Sequence, residues 1–249
     1  MIMFNFFAKT DSRQGDTFII SGGDFSHVKN VLRMAVGDTL LISSDGASHL
    51  CEIGEFSADT LTAKIIEENY QSGELPINIH LFQGLPKSDK LELIIQKCVE
   101  LGVATITPTE MTNCVVKLEP KKKQSKVERW QSIAEAAAKQ SKRSVIPTVN
   151  PVLSFKEMLT RVKEMDLFLV PYENNEGMIA TKNALEKIKK GMNVGILIGP
   201  EGGFEKNEIE KLIQEGGLPV SLGKRILRTE TAAITAVSMC MLYTEMNVG

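Results

Sequence analysis

A loop near the end of the chain carries the residues best suited to chemistry. Residues 222–232 read LGKRILRTETA and stand between a predicted strand and the last predicted helix. Arg225 and Arg228 are three residues apart in this loop, Thr229 is predicted to cap the helix, and Glu230 falls in its first turn. Cationic side chains beside a glycine indicate a loop that binds a polar ligand. The alternative is structural, with an arginine paired to Glu230 or to another nearby glutamate.

A second glycine-rich loop precedes the first. Residues 194–204 read VGILIGPEGGF, in which the apolar half is typical of a strand buried on both faces and the glycine half of a tight turn. A helix is predicted over 205–214, with Gly216 and Gly217 as its stop. This arrangement presents backbone groups at the carboxyl end of a sheet, where α/β proteins bind ligands. An ordinary turn made of glycines for tightness is the alternative, but two adjacent loops favour a pocket.

Several other chemistries have no support in the sequence. The chain contains neither the GxxxxGK[ST] phosphate loop, nor the GxGxxG fingerprint, nor the GxSxG hydrolase motif. Its four cysteines show no CxxC spacing and it has three histidines, which argues against a metal site or a disulfide framework and fits a reducing cytosol. No apolar run reaches the length of a membrane span. A cytoplasmic protein with no membrane partner is therefore expected.

Charge is unevenly distributed along the chain. The net charge is −2, but residues 117–143 carry nine basic and three acidic side chains, whereas residues 1–72 carry five basic and ten acidic ones. The cluster of Lys121, Lys122, Lys123 and Lys126 has no obvious acidic partner in the sequence. Such a stretch predicts contact with a polyanion through one face. A solvated lysine-rich loop is the alternative.

The first 72 residues are predicted to be mostly β. Short β-prone runs alternate with turn residues and cover 4–7, 17–20, 39–43, 50–56 and 60–66. One short helix is predicted between Asp24 and Arg33, with Asp24 as its cap. Strands this short and close predict a small barrel over 1–72, followed by a linker from Gln71 to Pro76.

From residue 73 to 249 the pattern changes to alternating strands and helices. Strands are predicted at 79–83, 105–107, 167–170, 194–198 and 219–222. Helices are predicted at 90–101, 125–140, 155–164, 181–190, 205–214 and 230–246. The alternation predicts an α/β domain with a parallel sheet covered on both faces.

Four segments together resemble one known family. They are IGPEGGF, LGKRILRTETAA, KLELIIQKCVELGV and ERWQSIAEAAAKQSKRSVIP, and a weaker likeness covers HVKNVLRMAVGD near the start. On these segments the chain resembles the bacterial 16S rRNA uridine-N3 methyltransferases, which belong to the SPOUT superfamily. The resemblance covers nearly the whole chain.

The resemblance implies an architecture and a cofactor. It implies an N-terminal PUA-like barrel over 1–72 that helps to bind RNA, a C-terminal SPOUT domain over 73–249 with a deep trefoil knot, and a homodimer. It also implies the cofactor S-adenosyl-L-methionine, no metal, and 16S rRNA of the small ribosomal subunit as the partner. The cofactor residues that it implies are Leu197, Ile198, Gly199, Pro200, Gly202, Leu222, Gly223, Ile226, Leu227 and Thr229.

The reaction implied by the family sets the roles of the charged residues. Uridine N3 must lose its proton and attack a methyl group, so the protein must stabilise a deprotonated imide. Arg228 is assigned that role, and Glu230 is assigned to orient an arginine or to accept the proton. The RNA-binding residues expected are Lys29, Arg33, Lys121, Lys122, Lys123 and Arg225. One departure is Asn113, which stands where the family usually has a basic residue.

Two other functions stay open at this point. One is an RNA-binding or assembly factor that lacks catalysis and keeps the pocket as a relic of its fold. The other is a SPOUT methyltransferase that acts on another RNA position, on tRNA or on a ribose 2′-hydroxyl. The last helix has apolar residues nearly all round, including Ile234, Val237, Met241 and Leu242, which also favours a homodimer.

Overall fold

The chain forms two compact units. The computed structural model describes residues 3–70, 73–172 and 177–248. The first unit holds Met1–Glu74 and Ala138–Ile146, and the second holds Leu75–Ala137 and Pro147–Gly249. The first unit thus takes in a segment that the predicted limits leave in the second domain. Gln71 and Ser72, at the start of the predicted linker, lie outside the described residues.

Six short strands make up most of the first unit. They are β1 (Asn5–Phe7), β2 (Arg13–Gln14), β3 (Thr17–Ser21), β4 (Thr39–Ser44), β5 (Ala47–Phe56) and β6 (Thr60–Glu67). They form one sheet in the order β1-β4-β5-β6-β3-β2, in which only the β1–β4 pair is parallel. Phe18, Leu40, Ile42, Ile53 and Leu61 are fully buried in its core. The predicted β-rich N-terminal domain is confirmed, and β2 was missed because two polar residues give no apolar signal.

The helix in this unit begins earlier than predicted. Helix α1 (Gly22–Ser26) has Ser21 at its N-cap and continues into a π-helical turn over His27–Val31. The prediction that Asp24 caps the helix is wrong, because Gly22 and Gly23 already belong to it. Asp24 instead lies in the first turn, where its carboxylate accepts a hydrogen bond of 3.0 Å from Lys139 Nζ.

Seven strands form the sheet of the second unit. They are β7 (Asn78–Gly84), β8 (Val103–Glu110), β9 (Thr148–Val149), β10 (Leu153–Ser154), β11 (Leu167–Pro171), β12 (Asn193–Ile198) and β13 (Leu218–Val220). The order is β10-β8-β7-β12-β11-β13, with β9 also beside β8, and every pair is parallel. The predicted parallel sheet is confirmed. Its parallel direction brings all the loops that follow the strands to one edge.

Six helices belong to this part of the chain. They are α2 (Lys90–Glu100), α3 (Pro120–Gln140), α4 (Phe155–Arg161), α5 (Met178–Leu185), α6 (Lys206–Gln214) and α7 (Thr229–Asn247). The predicted inner face of α2 is confirmed, since Leu91, Ile94, Ile95 and Cys98 are buried. Helix α7 packs on α2 and on strands β7 and β12. No helix within the described ranges is long and apolar enough to cross a membrane.

Helix α3 begins at Pro120, five residues before the predicted start. Proline is favoured at the first position of a helix, because its missing N–H has no intrahelical partner there in any case. The lysines at 121–123 therefore lie on the first turns of a helix and not on a loop. Helix α5 ends at Leu185 although the pattern predicted it to 190, since Ile188 is buried from a turn and keeps the apolar spacing.

Two residues of α6 are placed differently from the prediction. Ile213 was expected to face inward but is 49% exposed, whereas Glu208 is buried. The Glu208 carboxylate accepts hydrogen bonds from the backbone N–H of Glu205 and from the N–H and hydroxyl of Thr112. Those three donors satisfy the buried charge, and so an acidic residue takes a position that the pattern reserves for apolar ones.

Candidate functional site

The two glycine loops meet where β12 and β13 end. Strand β12 ends at Ile198, the turn 199–205 follows, and the second loop runs from Ser221 to the start of α7. The Thr229 hydroxyl donates a hydrogen bond of 2.7 Å to the Gly199 carbonyl and accepts one of 2.9 Å from Gln83 Nε2. This chain of bonds joins the end of β7 to both loops. The residue at the N-cap of α7 is Arg228, so the prediction that Thr229 caps the helix is wrong.

The loop after β7 packs directly against the glycine turn. A Cβ at Gly84 would lie 2.7 Å from the Pro200 nitrogen and Cδ, so only glycine allows this approach. The Glu201 carboxylate accepts a hydrogen bond of 3.0 Å from the Lys87 backbone N–H. The first and second loops of the unit are therefore fixed to each other by backbone packing and by one carboxylate.

Asn113 lies against the glycine turn from the other side. Its Nδ2 donates to the carbonyls of Gly202, at 3.2 Å, and Gly203, at 3.4 Å. A Cβ at Gly202 would lie 2.8 Å from Asn113 Cβ and 3.0 Å from its backbone oxygen. The side chain that departs from the family pattern thus supports the turn, and the glycine at 202 is needed for this close approach.

Two adjoining cavities open beside these loops. The first has a volume of about 600 Å³ and contains six of the predicted cofactor residues in its wall: Ile198, Gly199, Pro200, Ile226, Leu227 and Thr229. The second, of about 630 Å³, includes Leu222 and Gly223 and shares Ile226 and Leu227 with the first. The two remaining predicted residues lie elsewhere: Leu197 is fully buried in the sheet, and Gly202 is outside both linings.

Two aromatic rings that the sequence analysis missed also line the first cavity. Tyr172 and Phe204 stand edge to face with ring centroids 6.1 Å apart, and Tyr172 is 40% exposed. A Cβ at Gly199 would lie 3.2 Å from the Phe204 ring, so this glycine lets the ring approach the end of β12. Phe204 belongs to the GPEGGF motif, which was the available signal, but nothing in the sequence paired it with Tyr172.

Lys90 forms ion pairs with two carboxylates at the edge of the first cavity. Its Nζ lies 3.0 Å from Glu201 Oε1 and 3.3 Å from Glu230 Oε2. Burial raises the pKa of Glu201, but the hydrogen bonds from Lys90 and from backbone N–H groups lower it further, so the net shift is below the usual value. The hydrogen bond to Glu201 raises the pKa of Lys90, although its burial acts the other way. All three groups are therefore charged at neutral pH.

Arg228 has no ion-pair partner among the residues that the structure describes. It is exposed and lines the first cavity, while Glu201 and Glu230 are both taken by Lys90. The structural alternative, in which the arginine pairs with one of these glutamates, is not observed. Glu230 itself is outside the linings of both cavities. Arg225 is exposed and lines the second cavity.

The expected RNA-binding lysines of α3 differ in their surroundings. Lys123 pairs with Glu110 at 2.8 Å and Lys122 with Glu119 at 3.0 Å. The prediction that the cluster has no acidic partners is wrong for these two. Lys121 and Lys126 form no ion pair within the described part of the chain. The free cations of this helix are thus fewer than the sequence indicated.

The expected RNA-binding residues of the first unit are both exposed. Lys29 lies in the π-helical turn with its ammonium 5.2 Å from the centroid of the Phe25 ring. Arg33 follows the turn with a backbone φ of 54°. In the ranges described, no group of three or more His, Cys, Asp or Glu residues is arranged to hold a metal ion.

Comparison with known proteins identifies the class. Residues 73–241 match the family described as RNA methyltransferase domain, and residues 20–66 match the RNA methyltransferase PUA domain. The fold and the site are therefore those of an RNA methyltransferase. The chain belongs to the family of ribosomal RNA small subunit methyltransferase E, as the following relatives show.

Relatives of this name match over nearly their whole length. The one from Bacillus subtilis (strain 168) is 40% identical over 245 residues, which are 97% of this chain and 96% of the relative. The one from Buchnera aphidicola subsp. Schizaphis graminum is 37% identical and covers 85% of each chain. A crystal structure of the Neisseria gonorrhoeae protein of this name, bound to S-adenosyl methionine, is 30% identical with a TM-score of 0.79, covering 99% of this chain and 100% of that one.

The packing at Gly202 leads to the first prediction. Gly202→Ala should lower the free energy of unfolding by about 1–3 kcal/mol, the usual cost of overpacking, because the new methyl group meets Asn113. Displacement of the turn should also weaken binding of S-adenosyl-L-methionine at least tenfold. Urea unfolding and calorimetry measure the two effects. Gly23→Ala is the control, since a Cβ there meets nothing within 4 Å. A Gly202→Ala protein as stable as the wild type would refute the role of this contact.

Proposed function

We propose that this protein transfers a methyl group from S-adenosyl-L-methionine to N3 of a uridine in 16S ribosomal RNA of the small subunit. The observation that carries the proposal is Arg228, a guanidinium without an ion-pair partner in the described residues, at a cavity formed by both glycine loops. The family membership supports the reaction class and the ribosomal substrate. A ribosomal RNA substrate implies a cytoplasmic enzyme, as the sequence predicts.

The cavities fit S-adenosyl-L-methionine in size and in chemistry. Together they offer apolar walls from Leu222, Ile226 and Leu227 for an adenine ring, beside the backbone of the turn 199–203. The ion pairs of Lys90 leave one net negative charge near the first cavity, which suits a cationic sulfonium better than a phosphate. When bound, this cofactor supplies an activated methyl group and a neutral leaving group. The solved relative from Neisseria gonorrhoeae is described as bound to it.

Arg228 has the chemistry that deprotonation of uridine requires. Loss of the N3 proton places negative charge on the two uracil carbonyl oxygens, and a guanidinium offers parallel N–H donors to such acceptors. These bonds strengthen as charge develops, so they stabilise the transition state more than the neutral base. Glu230 faces Lys90 and not the cavities. We therefore assign it to the support of the site, and not to the acceptance of the proton.

RNA binding is assigned to exposed cations of both units. In the second unit these are Lys121 and Lys126 on α3 and Arg225 beside the second cavity. In the first unit they are Lys29 and Arg33. Each can contact a phosphate without giving up an ion pair within the described residues. Such contacts supply affinity and position, whereas the cavity selects the base.

The homodimer implied by the resemblance is also part of the proposal. Helix α7 exposes Leu242 (48%) and Met246 (73%), and its apolar groove of about 530 Å³ is lined by Leu185, Ile234, Thr235, Ser238, Met239, Leu242, Tyr243 and Met246. A monomer seldom leaves such a continuous apolar surface in water. A second copy of the chain is the partner that this surface and the resemblance support.

Transfer of labelled methyl groups to unmodified small-subunit RNA tests the reaction. The wild type should produce N3-methyluridine at one position, identified by mapping the modified base. Arg228→Ala should lower the single-turnover rate by about 10²–10³-fold, the usual loss for one charge-stabilising donor, and keep most of its RNA affinity. Arg225→Ala is the matched control and should weaken RNA binding with the rate at saturation kept.

The outcomes of this experiment separate the competing functions. Cofactor binding without any methyl transfer would favour the assembly factor, and transfer to a ribose or to tRNA would favour another SPOUT activity. Normal transfer by Arg228→Ala when the cofactor saturates would make Arg228 a residue that only binds the cofactor.

The lysines of α3 give a separate prediction. Replacement of Lys121 and Lys126 by glutamine should weaken RNA binding for all sequences and flatten its salt dependence, by roughly 0.7 to 0.9 per lost phosphate contact. Lys123→Gln is the control, because Lys123 already pairs with Glu110 and should contribute less. Affinity measured at several salt concentrations checks both. An equal effect of Lys123→Gln would contradict the distinction between paired and free lysines.

The dimer is tested by light scattering at micromolar concentration. The wild type should have twice the mass of the chain. Leu242→Glu and Met246→Glu should give monomers, because each places a charge on the apolar groove of α7. Lys182→Glu, on the exposed side of α5, is a control for added charge. A monomeric wild type with full activity would contradict the proposal.

A further inference from the structure

Lys90 occupies a position that neither the motifs nor the family assignment explains. It is the first residue of α2, far in sequence from both glycine loops, and its side chain is 30% exposed. Its ammonium lies within 3.3 Å of one carboxylate from each loop, Glu201 and Glu230. One cation thus neutralises half of the negative charge that the two loops bring together.

The same two carboxylates are within the reach of Arg228. Arg228 is the N-cap of α7 and Glu230 is two residues further along, while Glu201 and Arg228 line the same cavity. An arginine side chain spans this separation, and bidentate pairing with a carboxylate is its preferred interaction. Arg228 nevertheless forms no ion pair within the described ranges, because Lys90 already occupies both carboxylates.

We propose that Lys90 is a positioning residue for methyl transfer, which keeps Arg228 available to the uracil by holding Glu201 and Glu230 in ion pairs of its own. This inference rests on the proposed function, because it gives Arg228 its role in that reaction. Without Lys90, two carboxylates would remain close together and uncompensated, and like charges repel at this distance. Arg228 would then pair with one of them and leave the cavity.

The first test compares single-turnover rates at saturating RNA and cofactor. Lys90→Met should transfer methyl groups about 10- to 100-fold more slowly than the wild type, a smaller loss than the roughly 10²–10³-fold expected for removal of a donor. Lys90→Arg, which can pair with both carboxylates, should restore most of the rate. In an Arg228→Ala background, Lys90→Met should cause no further loss, because the two residues act through one group.

A second measurement does not depend on methyl transfer. Phenylglyoxal modifies accessible arginines, and mass spectrometry of the modified peptides gives a rate for each one. Arg228 should react several-fold more slowly in Lys90→Met than in the wild type, since its guanidinium is then paired. Arg225, in the same loop and exposed, is the internal control and should react at the same rate in both proteins.

Three results would overturn the proposal. They are multiplying effects of Lys90→Met and Arg228→Ala, unchanged reactivity of Arg228 in Lys90→Met, and no recovery of rate when Glu201→Gln and Glu230→Gln are added to Lys90→Met. Thermal unfolding confirms that each variant is folded, and Lys90→Gln carries the same test if Lys90→Met does not fold. A wild type that transfers no methyl group refutes the proposed function, whereas the phenylglyoxal comparison still decides the role of Lys90.

Discussion

The hydroxyl of Thr229 is the contact on which the site depends. It donates to the Gly199 carbonyl and accepts from Gln83, so three segments that are far apart in sequence share one buried hydrogen-bonded group. A buried hydroxyl is costly unless both its donor and its acceptor capacity are used, which fixes the relative positions of these segments. The cavities at the carboxyl edge of the sheet follow from that arrangement. Only parallel strands bring the three segments to a common edge.

Electrostatics in the site follow a division of labour between two cations. Lys90 is paired with both nearby carboxylates, and Arg228 is left exposed at the cavity. This division suits the two residue types, because an ammonium is a point charge that several acceptors can surround, whereas a guanidinium presents a planar set of donors to one ligand. The negative charge that remains near the first cavity is compatible with a cationic cofactor. It disfavours a triphosphate.

Much of the fold could be read from local patterns. The parallel sheet, the inner face of α2 and the β-rich start were predictable because apolar spacing reports burial directly. The errors arose where another interaction replaced apolar burial. Glu208 is buried by three donors from other loops, and Pro120 begins α3 through its conformational preference. The resemblance supplied the cofactor residues, of which Leu197 and Gly202 lie outside both cavities.

By itself the sequence determined the alternation of strands and helices, the two glycine loops, and Arg228 with Glu230 at a helix start. These are local properties, since they depend on residue types and spacing within one segment. The tertiary structure alone decided that Lys90, 111 residues from Glu201, takes both carboxylates, and that Asn113 supports the glycine turn. Such partners are chosen by which loops the parallel sheet brings together. Ion-pair and hydrogen-bond preferences within a segment carry no information about that choice.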